Sequence, residues 1–230
     1  MHIRALILQT RQLAEQKEFY TAILGLPLFN ETATAFTIQA GTTRLTFQET
    51  QQEVLYHIAF TIPRNKFEQA KRWIAQRITL LPTKAGDDEI FFSGLNARSF
   101  YFGDADNNIL EYMVHNSLDY EAAGDFGPED VLRVSEIGLP VEDVLARAAQ
   151  LEEQQGIVSY PAESQISDAF AYLGDISGQF VVVKAGRPWL PTETVPAIVS
   201  PVQVVIDGLR EQQFQLASYP YTIVVGAVAG

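Results

Sequence analysis

The chain has 230 residues, with 16 Lys and Arg against 28 Asp and Glu, which gives a formal net charge of −12 at pH 7. This charge argues against nucleic acid and anionic membrane surfaces as partners, because a polyanion is bound through clustered cations. The sequence contains no cysteine, which excludes disulfides, thiolate chemistry and Cys-ligated metals. We therefore expect a soluble, cytoplasmic protein with a sizeable apolar core.

The first part of the chain predicts a strand, a helix and a hairpin. Residues 3–8 form an apolar run typical of a strand, and apolar side chains repeat at helical spacing over residues 19–24. Gly25 indicates the end of that helix. Residues 36–47 then form two apolar runs around a short polar turn, which predicts a β-hairpin.

The same order of elements follows twice more. Residues 56–62 predict a second strand, and an apolar stripe over residues 67–74 predicts the helix after it. Residues 131–139 predict a third strand, followed by a helical stripe over residues 141–151. The chain is therefore built from repeated units, each of which starts with a strand and a helix.

The later strands of these units also repeat. Residues 101–112 read YFGDADNNILEY and residues 172–183 read YLGDISGQFVVV, which share Tyr, Gly and Asp at three aligned positions. Acidic turns that contain Asn or Gly between apolar runs are typical of hairpins. We infer three copies of a β-α-β-β-β unit, and a fourth copy reduced to strands at 202–206 and 221–225.

An acidic segment separates the second and third copies. Residues 117–130 contain five acids, two glycines and a proline, without a basic residue, which is typical of a linker. We predict a first module at residues 1–116, which carries the candidate site, and a second, degenerate module at residues 131–230. The alternative is a single α+β domain without true repeats.

Three segments resemble the vicinal oxygen chelate superfamily, which includes glyoxalase I, extradiol ring-cleaving dioxygenases and bleomycin resistance proteins. They are FYTAILGL at residues 19–26, HIAFTI at residues 57–62 and FGDADNNILE at residues 102–111. The resemblance implies an α+β fold of tandem βαβββ units. These units would form two paired modules with curved mixed sheets around a cleft and helices outside.

The resemblance also implies a metal site. Members of the superfamily that bind metal hold a divalent ion with His residues on the first strands of two units and a Glu on a last strand. These positions fall on His57 and Glu111, whereas the remaining first-strand position is Ala5. Nitrogen and carboxylate ligands suit Fe, Mn, Ni or Zn, and open positions accept two adjacent substrate oxygens. Glu111 is also the candidate catalytic residue, since a buried carboxylate beside imidazole can act in acid–base chemistry.

Three further residues are candidate substrate contacts. Arg44 and Gln48 lie on the first-unit strand that corresponds to the strand of Glu111, and Tyr101 lies near Glu111 in the preceding strand. Neither His2 nor His115 fits the missing ligand position, because one should face away from the cleft and the other lies roughly 13 Å along its strand.

The third unit lacks the expected ligand pair. The position that corresponds to His57 is Glu136, and the position that corresponds to Glu111 falls on Val182. We therefore predict that the third unit has lost its site and serves as packing or as a wall. Trp189 either lines a pocket or packs in the core.

Three functional classes fit these observations. The first is a divalent-metal-dependent lyase, isomerase or ring-cleaving dioxygenase that acts on a small molecule through vicinal oxygens, with His57 and Glu111 as ligands. The second is a metal-free protein that binds or sequesters a small molecule, which Ala5 favours. The third is a structural or regulatory module whose cleft is filled by its own side chains. A homodimer would cover the edge strands that an incomplete fourth copy leaves open.

Overall fold

The computed structural model describes residues 1–160, 166–208 and 211–227. The first unit runs through a strand, a helix that continues as a π-helical turn, and three further strands. In chain order these are β1 (Ile3–Thr10), α1 (Leu13–Glu18) with the turn Phe19–Ile23, β2 (Leu28–Glu31), β3 (Ala35–Ala40) and β4 (Thr43–Glu49).

The second unit repeats this order. Its elements are β5 (His57–Thr61), a 3-10 turn (Arg64–Lys66), α2 (Phe67–Ala75), β6 (Ile90–Phe92), a 3-10 turn (Ser93–Leu95), β7 (Ala97–Gly103) and β8 (Ile109–His115). The acidic segment at residues 117–130 follows, and it lies along α2 and the 3-10 turn before it. The Lys66 ammonium group donates to the carbonyl oxygens of Ala123 and Gly124, and the ring of Phe126 packs against Trp73.

The third and fourth units are shorter. After a 3-10 turn (Pro128–Asp130), the third contains β9 (Arg133–Val141), α3 (Val144–Ala149) with a π-helical turn (Gln150–Gln154), β10 (Phe170–Asp175) and β11 (Gly178–Lys184). The fourth contains β12 (Val202–Gly208), β13 (Gln212–Gln215) and β14 (Tyr221–Ala227). Within the described ranges the fourth unit has strands and no helix, as predicted from its sequence.

The strands of the described residues form two seven-stranded mixed sheets. Sheet I has the order β13-β14-β12-β1-β4-β3-β2, and sheet II has the order β10-β11-β9-β5-β8-β7-β6. Unit one therefore pairs with unit four, and unit two pairs with unit three. The predicted α+β fold of paired units is confirmed, but each sheet combines strands from both sides of residues 117–130.

Each sheet has one face in a shared core. Alternate side chains of β1 and β5, among them Leu6, Leu8, Ile58 and Phe60, pack with helix residues in one apolar cluster. The intervening side chains therefore point to the opposite, concave faces, because successive residues of a strand alternate between faces. No helix in the described ranges is long and apolar enough to cross a membrane.

Asp104 joins the first two units through its buried carboxylate. One oxygen, Oδ1, accepts hydrogen bonds from the backbone N–H groups of Asp106 (3.0 Å) and Asn108 (2.9 Å). The other, Oδ2, accepts from the Asn108 amide (2.8 Å), the Gln16 amide (2.5 Å) and the Tyr20 hydroxyl (3.2 Å). Gln16 lies on α1 and Tyr20 on the turn that continues it, so the acidic turn of the second unit holds the helix of the first.

Asn108 extends this network to β5. Its Oδ1 accepts from the backbone N–H of Tyr56 at 2.8 Å, and the N–H of Ile109 donates to the Tyr56 carbonyl at 2.9 Å. Tyr56 directly precedes His57. The turn between β7 and β8 therefore positions the first residue of β5.

Substitution Asp104→Ala should lower stability strongly, because it leaves several buried donors without an acceptor. We expect a loss on the order of 3 kcal/mol, or roughly 6–12 °C in Tm. Thermal unfolding followed by circular dichroism measures this. Asp87→Ala, in an exposed turn, is the control, and an equal Tm for the two variants would contradict the role given to Asp104.

Candidate metal centre

His57, Glu111 and Glu136 form a buried cluster on the concave face of sheet II. The Nε2 atom of His57 lies 3.4 Å from Oε2 of Glu111 and 3.6 Å from Oε2 of Glu136. One ligand atom from each residue lies within 4.8 Å of the other two. The three side chains are 5%, 2% and 2% exposed, so solvent does not screen their charges.

The strand register brings these residues together. Ala59 on β5 lies opposite Glu111 on β8 on one side and opposite Glu136 on β9 on the other. His57 precedes Ala59 by two residues and therefore projects from the same face. Three adjacent strands thus contribute one polar side chain each to a single point on the sheet.

A β-bulge at Ser135 gives Glu136 its direction. Val134 pairs with Phe60 and Glu136 with Ala59, so Ser135 is an extra residue in β9. In a regular strand Val134 and Glu136 would share a face, but the bulge places Val134 in the shared core and Glu136 beside His57. Bulges of this kind often re-aim a side chain next to a functional site.

The cluster consists of three hydrogen-bond acceptors. The Nδ1 atom of His57 lies 3.3 Å from the carbonyl oxygen of Ile109, and a carbonyl only accepts, so Nδ1 carries the hydrogen. In the neutral ring Nε2 then presents its lone pair to the two carboxylates. Three acceptors that converge in this way require a proton or a cation between them.

Burial shifts the ionisation of all three groups. Burial, and to a lesser extent the neighbouring charge of Glu136, raises the pKa of Glu111 to about 7, against the lowering effect of His57. Burial alone raises the pKa of Glu136 to about 8. It lowers the pKa of His57, which the Glu111 carboxylate opposes. The Oε1 atoms of both glutamates have no hydrogen-bond partner among the described residues. A divalent cation would satisfy these oxygens, so the donor set fits a metal of the kind that the sequence predicted.

A loop covers the cluster. We call residues 186–198 the cover loop. The ring of Trp189 stacks on His57 at a tilt of 31° with centroids 4.9 Å apart, and the partly open space beside the cluster is about 20 Å³, room for about one water molecule. Gly138 makes this stacking possible, because a Cβ at that position would lie 2.5 Å from the Trp189 ring.

The predicted substrate contacts are separated by the structure. Tyr101 lies opposite Glu111 on β7 and lines the same space. Arg44 and Gln48 lie on β4 of sheet I, where both are exposed and the Arg44 guanidinium rests 4.1 Å from the centre of the Phe29 ring. The expected grouping of Arg44 and Gln48 around the His57 cleft is corrected here, because β5 pairs with unit three rather than with unit one.

The view that unit three has lost its site is also corrected, since Glu136 from β9 is part of the cluster. Gly138 lies two residues after Glu136 in β9, just as Ala59 lies two residues after His57 in β5. Gly138 pairs with Val181, and Ala59 pairs with Glu111. Val181, rather than Val182, therefore corresponds to Glu111. A charged residue within a fully buried strand was the available signal for Glu136, as it was for Glu111.

Sheet I does not carry an equivalent cluster. Ala5 occupies in β1 the position that His57 occupies in β5. By the strand pairing, Thr46, Gln203 and Val224 then correspond to Glu111, Glu136 and Val181. In the described chain none of these side chains is an imidazole or a carboxylate. The residues that suit a metal therefore lie together in sheet II, where both carboxylates belong to the strands that flank β5.

Comparison with solved structures identifies the fold. A candidate dioxygenase from Bacillus subtilis subsp. subtilis str. 168 superposes with a TM-score of 0.64 at 13% identity, and the match covers 100% of this chain and 86% of that one. The predicted fold of paired βαβββ units and curled mixed sheets is thus confirmed, and it is the fold that the resemblance to the vicinal oxygen chelate superfamily implied.

Smaller matches cover half of the chain. A glyoxalase/bleomycin resistance protein/dioxygenase from Alicyclobacillus acidocaldarius gives a TM-score of 0.40 at 22% identity, covering 50% of this chain and 92% of that one. Lactoylglutathione lyase from Agrobacterium tumefaciens gives 0.42 at 15% identity, covering 51% and 96%. No family model and no curated protein matches the sequence.

Substitution Gly138→Ala should displace Trp189 from His57, because the added methyl group overlaps the indole ring. We expect a loss of roughly 1–3 kcal/mol and a changed tryptophan fluorescence spectrum. Gly94→Ala is the matched control, since a Cβ there meets nothing within 4 Å. An unchanged spectrum in Gly138→Ala would show that the ring is not held against this glycine.

Substitution Glu136→Gln should stabilise the metal-free protein at alkaline pH. The folded-state pKa of Glu136, about 8, exceeds its ordinary value of 4.5, so the stability from this group is full at low pH, falls as the pH rises between these two values, and is lost above about pH 8. We expect the variant to exceed the native protein by roughly 1–3 kcal/mol at about pH 8.5, and to match it at about pH 5.

Urea unfolding in chelator at the two pH values measures this difference. Glu18→Gln, on the exposed surface of α1, should follow the native protein at both. Parallel pH dependences of native protein and Glu136→Gln would contradict the raised pKa.

Proposed function

We propose that this protein is a divalent-metal-dependent enzyme of the glyoxalase/dioxygenase type, which binds a small molecule through two adjacent oxygen atoms. The observation that carries the proposal is the convergence of three buried acceptors at His57, Glu111 and Glu136. Within the described chain no Lys or Arg pairs with either glutamate. Buried carboxylates of this kind are stable when they are protonated or when they coordinate a metal.

The ligand atoms would be Nε2 of His57 and one or both oxygens of each glutamate. Fe, Mn, Ni and Zn all accept such a nitrogen and oxygen set. A bound ion would polarise the substrate oxygens as a Lewis acid. The hydrogen bond from Nδ1 to the Ile109 carbonyl holds the imidazole in the tautomer and orientation that this role needs.

The protein's own groups would move the proton and shape the pocket. Glu111, whose pKa is about 7 in the metal-free protein, is the candidate catalytic residue because a carboxylate oxygen that is not bound to the metal can accept a proton from the substrate. Tyr101 lies opposite it and would orient the substrate. Trp189 covers the cluster and would exclude water from the reacting atoms. Arg44 and Gln48, on sheet I, have no part in this proposal.

The second candidate function is metal-free binding of a small molecule. It is supported by the pKa values of Glu111 and Glu136, about 7 and about 8, since neutral carboxyl groups can be buried without a metal. In that case the two carboxyl groups would donate hydrogen bonds to a polar ligand. Cytoplasmic location and a homodimer stay predictions under either function.

Metal analysis of protein purified without a metal-affinity tag tests the proposal. We expect about one transition-metal ion per chain, and rebinding of Fe(II), Mn(II), Ni(II) or Zn(II) by the apo protein. Glu111→Gln and Glu136→Gln should each weaken binding by roughly 100-fold or more, because each removes an anionic ligand.

Glu18→Gln is the control and should bind metal like the native protein. A protein that neither contains nor binds metal would contradict the enzyme proposal, and ligand binding that persists in chelator would then favour the metal-free alternative. Tight binding that survives Glu136→Gln would show that the ion is held elsewhere.

A further inference from the structure

The space beside the cluster has two chemically different sides. On sheet II the carboxylates of Glu111 and Glu136 are acceptors that would face a bound metal. Arg187 and Trp189, both from the cover loop, contribute hydrogen-bond donors to the same space. This separation of acceptors from donors indicates where the two ends of a bound molecule would lie.

Trp189 has an unused donor. Its indole Nε1 is buried, and it has no hydrogen-bond partner among the described residues. The indole N–H can only donate, and a buried donor without an acceptor is costly. Because the Trp189 ring lines the space next to His57, an acceptor that enters this space would satisfy it.

Arg187 supplies the positive charge on this side. Its side chain is half-buried, and its guanidinium lies 5.3 Å from the centre of the Phe170 ring. Within the described parts of the chain it makes no ion pair with Asp or Glu, and its hydrogen bond goes to the carbonyl of Pro188 at 3.5 Å. The planar guanidinium is therefore oriented and open to an anion from outside.

An anionic substrate would need a local cation in this pocket, because the protein as a whole is negatively charged. The chain carries a net charge of −12, and the cluster itself contains two carboxylates. A small anion approaching this pocket meets net repulsion unless a local cation offsets it. Arg187 is placed where it would do so.

The cover loop would have to shift to admit an organic molecule, because the space beside the cluster is about 20 Å³. Backbone hydrogen bonds link Gly186 and Arg187 with Ala197, and Trp189 with Val195, inside the loop, and the Arg187 N–H donates to Lys184 of β11. A shift of the loop as a unit would keep the internal bonds and break the one to Lys184. Arg187 and Trp189 would move together and close on the ligand.

We propose that Arg187 and Trp189 form a recognition site for a carboxylate, and that the substrate is a small carboxylic acid which also carries two adjacent oxygens. A guanidinium fork matches the two oxygens of a carboxylate, and the indole N–H donates to one of them. This inference rests on the proposed function, since the adjacent oxygens would be held at the metal side.

Two matched ligands test the inference. With Zn(II)-loaded protein, calorimetry compares 3,4-dihydroxybenzoate with 3,4-dihydroxybenzamide, which has the same size and the same vicinal hydroxyls without the charge. We expect the native protein to prefer the benzoate by about tenfold or more. Loop displacement costs the same for both ligands, so it cancels in the ratio.

Arg187→Gln should remove this preference while it leaves Zn(II) affinity and benzamide affinity unchanged, and Trp189→Phe should reduce it. Arg72→Gln, on the exposed side of α2, is the control and should keep it. A native protein without preference, or a preference that survives Arg187→Gln, would overturn the inference.

A metal-free arm separates this inference from the proposed function. In chelator, 3,4-dihydroxybenzoate should still quench tryptophan fluorescence more than 3,4-dihydroxybenzamide does. Arg187→Gln should abolish this difference in quenching. Failure of Zn(II) binding with this difference intact would contradict the metal proposal alone. Zn(II) binding without any role for Arg187 in either arm would contradict the carboxylate site alone.

Discussion

The rest of the site depends on one constraint, which is the burial of two carboxylates beside one imidazole. Neither Glu111 nor Glu136 forms an ion pair with a Lys or Arg side chain in the described chain, and burial raises the pKa of both. A core made only for stability would place apolar residues at these positions, because unpaired buried charges oppose folding. Several local features, the Ser135 bulge and the fixed tautomer of His57 among them, serve to hold this unfavourable group in one geometry.

The two sheets share an architecture but differ in chemistry. Sheet II combines its ligand-type residues with a loop that covers them, whereas the corresponding positions of sheet I are Ala5, Thr46, Gln203 and Val224, all at least partly exposed. The same backbone therefore supports a candidate metal centre in one half and an open polar surface in the other. The fold alone does not determine function, and the difference lies in a few side chains at equivalent points.

Much of this could be predicted from local patterns. The strand and helix periods defined the units, and His57 and Glu111 stood out as polar residues in apolar strands. Glu136 corresponds to His57 in the repeat, but its place in the cluster was not predicted. That place depends on the pairing of β5 with β9, which local sequence does not encode. The bulge at Ser135 and the position of Arg44 depend on the same long-range register. The cover loop has no periodicity, so its place over His57 could not be inferred from its own residues.

The nested pairing of the units has a consequence for synthesis of the chain. Units two and three are neighbours in sequence, so sheet II can assemble once β11 has emerged from the ribosome. β1 instead waits for β12, with Ile3 pairing with Ile206. Contacts of such long sequence separation form late, since the loop they close has a large entropic cost. During that interval one side of β1 is an unpaired apolar edge, which makes the nascent chain most vulnerable to aggregation while sheet II is already formed.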